Sequence, residues 1–242
     1  MPLEPPTRTG ARADDATGAR RPGLVVMGGS WGGLDAACHV LAEMPSPLPV
    51  PVLLVLHRAR TSDALVLRQV VRKCSGQGLV EVEDQMSITP GAVHLAPPDY
   101  HVLVDRDTWA LTTDAPVNHS RPSIDLAFES AADVYAGDVV AVLLSGTGRD
   151  GAAGIRRVRD RGGRTLVQAP DSAQRGELPL AAIRTGGIDT VATPTELGRR
   201  LAQLLDAGTP VQRPEPQPEA RREVQQGTRQ RSPKPTGQRE GT

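Results

Sequence analysis

Three short runs, Gly23–Met27, Val50–Leu56 and Val139–Ser145, are apolar at successive positions and not only at every second one. Side chains of a strand point to opposite faces in turn, so a run that is apolar throughout has to be buried on both faces. Each run is followed by residues with helical periodicity: Leu34–Met44, then Ser62–Lys73 with Thr61 or Ser62 as N-cap, then about Ala152–Asp160. This alternation predicts an α/β fold, a doubly wound and mainly parallel sheet with helices on both faces. Further helices are expected over Pro122–Tyr135, Leu180–Thr185 and Thr195–Leu205, and short strands at "RTLVQA" and "DTVA". Residues 79–114 hold four strand-like stretches, "GLVEVED", "GAVHLAP", "YHVLVD" and "TWALTTD", with a hairpin turn at Arg106-Asp107. Residues 92–113 are expected to form a small antiparallel insert.

The folded part has limits. Residues 1–21 are rich in Pro, Gly, Thr and charge, and residues 208–242 are Pro/Gln/Arg/Glu-rich. Such segments bury too little to offset the entropy of ordering, so both ends are predicted to be disordered. Residues 22–207 are left as one domain, of ordinary size for a single core. The 28 basic residues balance the 28 acidic ones, which gives no global charge argument for nucleic acid or an anionic membrane. No apolar run approaches the length of a bilayer span, and the N-terminus has no secretory apolar core, so a cytoplasmic protein is expected. Cys38 and Cys74 are the two cysteines, expected to be buried thiols with no disulfide framework.

The first apolar run leads into "GGSWGG", residues 28–33, a tight strand-to-helix turn. Three chemistries fit it. Ser30 can cap the helix that begins near Gly33. The glycines can let backbone N–H groups approach a phosphate at a helix N-terminus. The dinucleotide fingerprint, however, needs G-x-G-x-x-G, and the second strand ends in "LHRAR" with no acid for a ribose. Arg58 and Arg60 in that segment suit a 2′-phosphate, which keeps an NADP-binding oxidoreductase as an alternative. Third, Gly28, Ser30 and Gly32 match G-x-S-x-G, where the serine is a nucleophile beside the positive end of a helix.

A serine nucleophile needs a base and a group that orients the base. His57 ends the second apolar run, which in a doubly wound sheet lies beside the first, and sites form at the carboxyl ends of such strands. The other histidines are weaker candidates: His39 within the first helix, His94 and His101 in the β-rich insert, His119 in a polar loop. Asp150, in "GTGRDG" after the third run, is the candidate orienting carboxylate and equally a candidate N-cap for the next helix. The same loop exposes backbone N–H groups suited to a developing oxyanion. The chain order Ser30, His57, Asp150 differs from the serine, acid, histidine order of α/β-hydrolases, which disfavours an ordinary lipase or esterase. Metal-ligand spacing is lacking and the triad needs no ion, so no cofactor is expected.

Taken in order, "GGSWGG", "VLHRA", "PGAVHLAPPDYH", "NHSRPSIDLAFES", "LLSGTGRDGAAGI" and "GGIDTV" resemble the catalytic domain of the chemotaxis protein-glutamate methylesterases (CheB) over roughly residues 23–205. The resemblance implies hydrolysis of glutamate γ-methyl esters on the cytoplasmic helices of chemoreceptors, with methanol released and glutamine deamidation as an associated activity. It carries the family's serine, histidine and aspartate onto Ser30, His57 and Asp150, and its oxyanion hole onto the backbone N–H groups of Trp31 and Thr147. A receiver domain, usual in the regulated enzymes, is expected to be lacking here. Trp31 stands where the family usually has a small residue, Thr147 where methionine is common, and "RGELP" (Arg175–Pro179) where many members have "FGMP". These departures bear on which methylated protein is bound. A non-catalytic receptor-binding module of the same fold is the remaining reading.

Overall fold

A computed structural model describes residues 22–206. The segments predicted to be disordered, 1–21 and 208–242, lie outside the described residues. Strand β1 (Leu24–Gly29) is buried at every position and leads into α1 (Gly33–Ala42). Next come β2 (Val52–Leu56), α2 (Ala64–Ser75), β3 (Gly78–Glu81) and β4 (Ala92–Leu95). A hairpin of β5 (His101–Asp105) and β6 (Thr108–Thr112) precedes α3 (Ile124–Tyr135) and β7 (Val139–Leu143). The chain continues through α4 (Ala152–Asp160), β8 (Arg164–Gln168), α5 (Glu177–Ile183), β9 (Thr190–Ala192) and α6 (Pro194–Asp206).

Seven strands form one sheet in the order β3-β4-β2-β1-β7-β8-β9, with every pairing parallel. The antiparallel insert is smaller than expected. Residues 92–95 join the main sheet as β4, parallel to β2, and among the named strands only β5 and β6 pair antiparallel, with His101 opposite Thr112. The physical reason is burial: Val93, His94 and Leu95 are enclosed on both faces, the condition of a parallel strand.

Successive residues of β1 separate into two cores. Leu24 and Val26 join Ile124, Phe128, Ile155 and Trp109 under α3, α4 and the hairpin. Val25 and Met27 join Leu41, Val71, Leu201 and Leu205 under α1, α2 and α6. Each such side chain, fully buried, is worth about 1.5–3 kcal/mol of transfer free energy.

Two helix boundaries differ from the sequence expectation. Asp63, not Thr61 or Ser62, caps α2, its Oδ1 accepting from the Leu65 N–H at 2.7 Å. Helix α5 begins at Glu177 and not at Leu180, because Pro179 falls in the first turn, where a missing N–H breaks no intrahelical bond. The expectation of two free thiols is also overturned. Cys38 of α1 and Cys74 of α2 form a disulfide with their Cα atoms 5.7 Å apart. Two helices packed on one face bring these residues within bridging reach, which a separation of 36 residues in sequence does not reveal.

Candidate active site

Strands β2, β1 and β7 are neighbours, so their carboxyl ends open at one edge of the sheet. Backbone bonds continue the ladder past the last strand residues and fix the tips. The Ser30 N–H donates to Ser145 O at 2.9 Å, the His57 N–H to Gly29 O at 3.1 Å, and the Leu144 N–H to Gly28 O at 2.8 Å. Ser30, His57 and the loop holding Asp150 therefore issue from one rigid frame.

The turn after Ser30 depends on glycine at two places. Gly32 is left-handed (φ +77°), and it, with no side-chain bond, is the N-cap of α1. The Ser30 side chain does not serve as that cap. Gly146 faces the serine, where a Cβ would stand 2.7 Å from Ser30 Cβ. A side chain at 146 would push the strand tips apart.

His57 Nε2 lies 2.8 Å from Asp150 Oδ2. Asp150 is only 2% exposed, and His57's side chain is 17% exposed. The carboxylate accepts three further bonds: from the Ile124 N–H at 2.7 Å, the Ser123 hydroxyl at 2.9 Å and the Asp125 N–H at 3.2 Å. Burial alone would raise the Asp150 carboxyl, but the bonds from His57, Ile124, Asp125 and Ser123 hold it below the usual aspartate value. An ionised Asp150 can only accept, so Nε2 is the donor, and in the neutral imidazole Nδ1 is then the nitrogen with the lone pair.

The capping expected of Asp150 is exchanged with a second aspartate. Helix α4 has Gly151 as N-cap, and Asp125 Oδ1 accepts from the Gly151 and Gly154 N–H groups at 2.8 and 2.7 Å. Asp150, just before α4, instead receives the first N–H groups of α3. Burial drives the Asp125 carboxyl up to about 6, with the Asp150 charge adding to the rise and the Gly154 and Gly151 bonds opposing it. Asn118 donates to Asp125 Oδ2 at 2.8 Å and accepts from Arg149 Nε at 3.1 Å, tying the loop after β7 to α3.

The structure joins two of the three predicted triad members directly. Among the described residues, no hydrogen bond links the Ser30 hydroxyl to His57. The nearest hydroxyl partner of Nδ1 is Ser120 Oγ, at 3.4 Å. Contacts between nucleophile and base are commonly loose in substrate-free sites and tighten on binding. Trp31 and Thr147 are both exposed beside this edge, and neither N–H donates to another group among the described residues.

His94, His101, His39, Arg58 and Arg60 have structural partners, whereas none is found for the His119 side chain among the described residues. His94 accepts from the Trp109 indole at 2.9 Å and contacts Thr89 O at 2.9 Å, and its pKa is lowered by burial. His101 accepts from the Ser123 N–H at 3.1 Å. His39 is on the exposed face of α1, bonded to Asp35 O. Arg58, the phosphate candidate, pairs with Glu81 at 2.7 Å with its side chain 6% exposed, and Arg60 pairs with Asp99 at 2.9 Å. Residues that the sequence reading did not single out are Ser120, Ser123, Asp125 and Asn118. All lie in "NHSRPSID", where a serine before an apolar helical run is the one readable signal, that of an N-cap.

The CheB methylesterase family matches residues 25–201. A protein of Leptospira interrogans (serovar copenhageni), provisionally named a protein-glutamate methylesterase/protein-glutamine glutaminase, is 33% identical over 181 residues, which cover 74% of this chain and 93% of that one. A Methanosarcina mazei protein with the name protein-glutamate methylesterase/protein-glutamine glutaminase 1 is 33% identical over 186 residues, 75% of this chain and 52% of that one. The crystal structure of the Thermotoga maritima CheB methylesterase catalytic domain superposes with a TM-score of 0.71 at 26% identity, over 76% of this chain and 98% of that one. The matched span runs from the second residue of β1 to the middle of α6 and so takes in the whole sheet and all three strand tips: the chain belongs to the CheB methylesterase family.

Proposed function

We propose that residues 22–207 are a serine hydrolase domain that removes γ-methyl esters from glutamates of a methylated chemoreceptor-like protein in the cytoplasm. One observation carries this reading: a buried, multiply bonded carboxylate orients an imidazole at the strand tip adjoining the G-x-S-x-G serine. Ser30 Oγ attacks the ester carbonyl carbon, and its proton passes to Nδ1 of His57. Asp150 holds Nε2–H and stabilises the imidazolium as it forms. The tetrahedral oxyanion is taken by the backbone N–H groups of Trp31 and Thr147. As the intermediate collapses, the C–O bond to the methoxy group breaks and His57 returns the proton, so methanol leaves. Water, giving a proton to His57, then attacks the acyl-enzyme; the acyl C–Oγ bond breaks, His57 returns the proton to Ser30 Oγ, and the substrate's glutamate side chain is released as a carboxylate. Named relatives carry a glutaminase function as well, and the same steps on a glutamine side chain release ammonia.

The test is methanol release from methylated chemoreceptor cytoplasmic fragments by the wild-type chain and by Ser30→Ala. The expected loss in the variant is about a thousandfold or more. Equal release by both proteins overturns the mechanism, and no release by either overturns the substrate.

A further inference from the structure

The chain has two tryptophans, and they are used in opposite ways. Trp109 is fully buried, whereas Trp31, next in sequence to Ser30, is 65% exposed. Large aromatics left open beside a reactive centre are the kind of residue that binding interfaces concentrate. The Arg175 guanidinium lies over the Trp31 ring, with Cζ 6.0 Å from its centre. Arg175 is itself exposed, and among the described residues no carboxylate lies within ion-pair distance of it. By contrast, Arg156, Arg157, Arg159 and Arg161 on and after α4 are all paired with aspartates.

The two side chains stand on backbone that belongs to the site. The Ser145 hydroxyl donates to Trp31 O at 2.8 Å and accepts from the Arg175 N–H at 3.0 Å, so one buried side chain clamps both. The Gly146 N–H donates to Arg175 O at 2.9 Å, and Gly146 in turn faces Ser30. The backbone that carries the ring and the cation is thus fixed relative to the nucleophile.

We propose that Trp31 and Arg175 form a recognition platform that selects substrates carrying a carboxylate one helical turn from the scissile ester. This rests on the methylesterase reading of Ser30. A helix presents residues three and four apart on the same face as the methylated glutamate. Trp31 covers the apolar flank of such a helix, while Arg175, over the ring, presents N–H edges to the neighbouring carboxylate. An exposed pair of this kind supports a preference of up to about fivefold, reduced by salt.

The experiment uses two helical peptides with one glutamate γ-methyl ester, flanked at three and four residues on either side by Glu in one and Gln in the other. Binding to Ser30→Ala is read by tryptophan fluorescence, with buried Trp109 as background, and methanol release is read with the Ser30 protein. The Glu peptide is expected to bind about fivefold more tightly. Arg175→Gln should abolish that difference, Arg175→Lys should retain it, and added salt should shrink it. Equal binding of the two peptides, a preference that survives Arg175→Gln, or no fluorescence change with either peptide overturns the platform. Methanol release without charge preference overturns the platform and leaves the esterase. Charge-selective binding without methanol release does the reverse.

Discussion

Asp150 and Asp125 are separated by a backbone N–H and differ in what surrounds them. Asp150 collects bonds from His57, Ile124, Asp125 and Ser123, which outweigh its burial and favour the ionised form. Asp125 has fewer compensating donors and sits beside that charge, so it is raised to about 6. The two act oppositely on stability. Asp150, lowered on folding, contributes stability above the ordinary aspartate range that is lost as pH falls through its folded value. Asp125, raised on folding, binds a proton in the folded chain between about 4 and 6 that the unfolded chain has released. Its contribution is therefore present at the acid end and lost as pH rises through about 6. Asp125→Asn should gain on the wild type in melting temperature as pH rises from 4.5 to 7. Melting curves that stay parallel across that window would show that Asp125 does not titrate there. The sequence made Asp150 visible as a strand-tip carboxylate, but its exchange of helix caps with Asp125 depends on α3 and α4 being packed side by side. No local pattern records that contact.

Helices α3 and α4 approach closely because Gly154 has no side chain. A Cβ there would stand 2.6 Å from Asp125 O and 2.8 Å from Phe128 Cβ. Gly154→Ala should cost about 1–3 kcal/mol through overpacking, despite alanine's better helix propensity. In a domain of this size that is a fall of about 2–4 °C in melting temperature for each kcal/mol, readable by calorimetry. A variant as stable as the wild type would mean that the two helices can separate without loss. The same element shows where reading from sequence succeeds and stops. The apolar run of β7 and the helical period of α4 were legible, because burial on two faces and on one face leave different patterns. The membership of β4 was not legible, since a four-residue strand next to a hairpin carries the same pattern in either sheet. The start of α5 was masked by Pro179, which is compatible with a first turn but also with a loop.

Across the whole described domain, the strand order turns at β1, with β2 on one side and β7 on the other. Ligand sites of open α/β sheets form at such a switch, and strand-end position, together with the base and orienting group that a serine nucleophile needs, was the ground for grouping Ser30, His57 and Asp150 from sequence. The disulfide could not be found that way. It crosses from α1 to α2 and closes a loop of 36 residues, worth about 4 kcal/mol in the chain-entropy account. Dithiothreitol should therefore lower the melting temperature of the wild type and leave that of Cys38→Ser unchanged. A wild-type melting curve indifferent to reductant would show that the bridge adds nothing to stability. The crossed helix caps also bear on inheritance. Ser30 and His57 can each be replaced in a descendant without uncapping a helix, whereas losing Asp150 leaves the Ile124 and Asp125 N–H groups at the start of α3 without their acceptor. On the proposed mechanism, a lineage that drifts away from catalysis would shed the serine or the histidine first. Its aspartate would persist as a relic of the fold, so the acid alone is a poor witness to activity and the serine a good one.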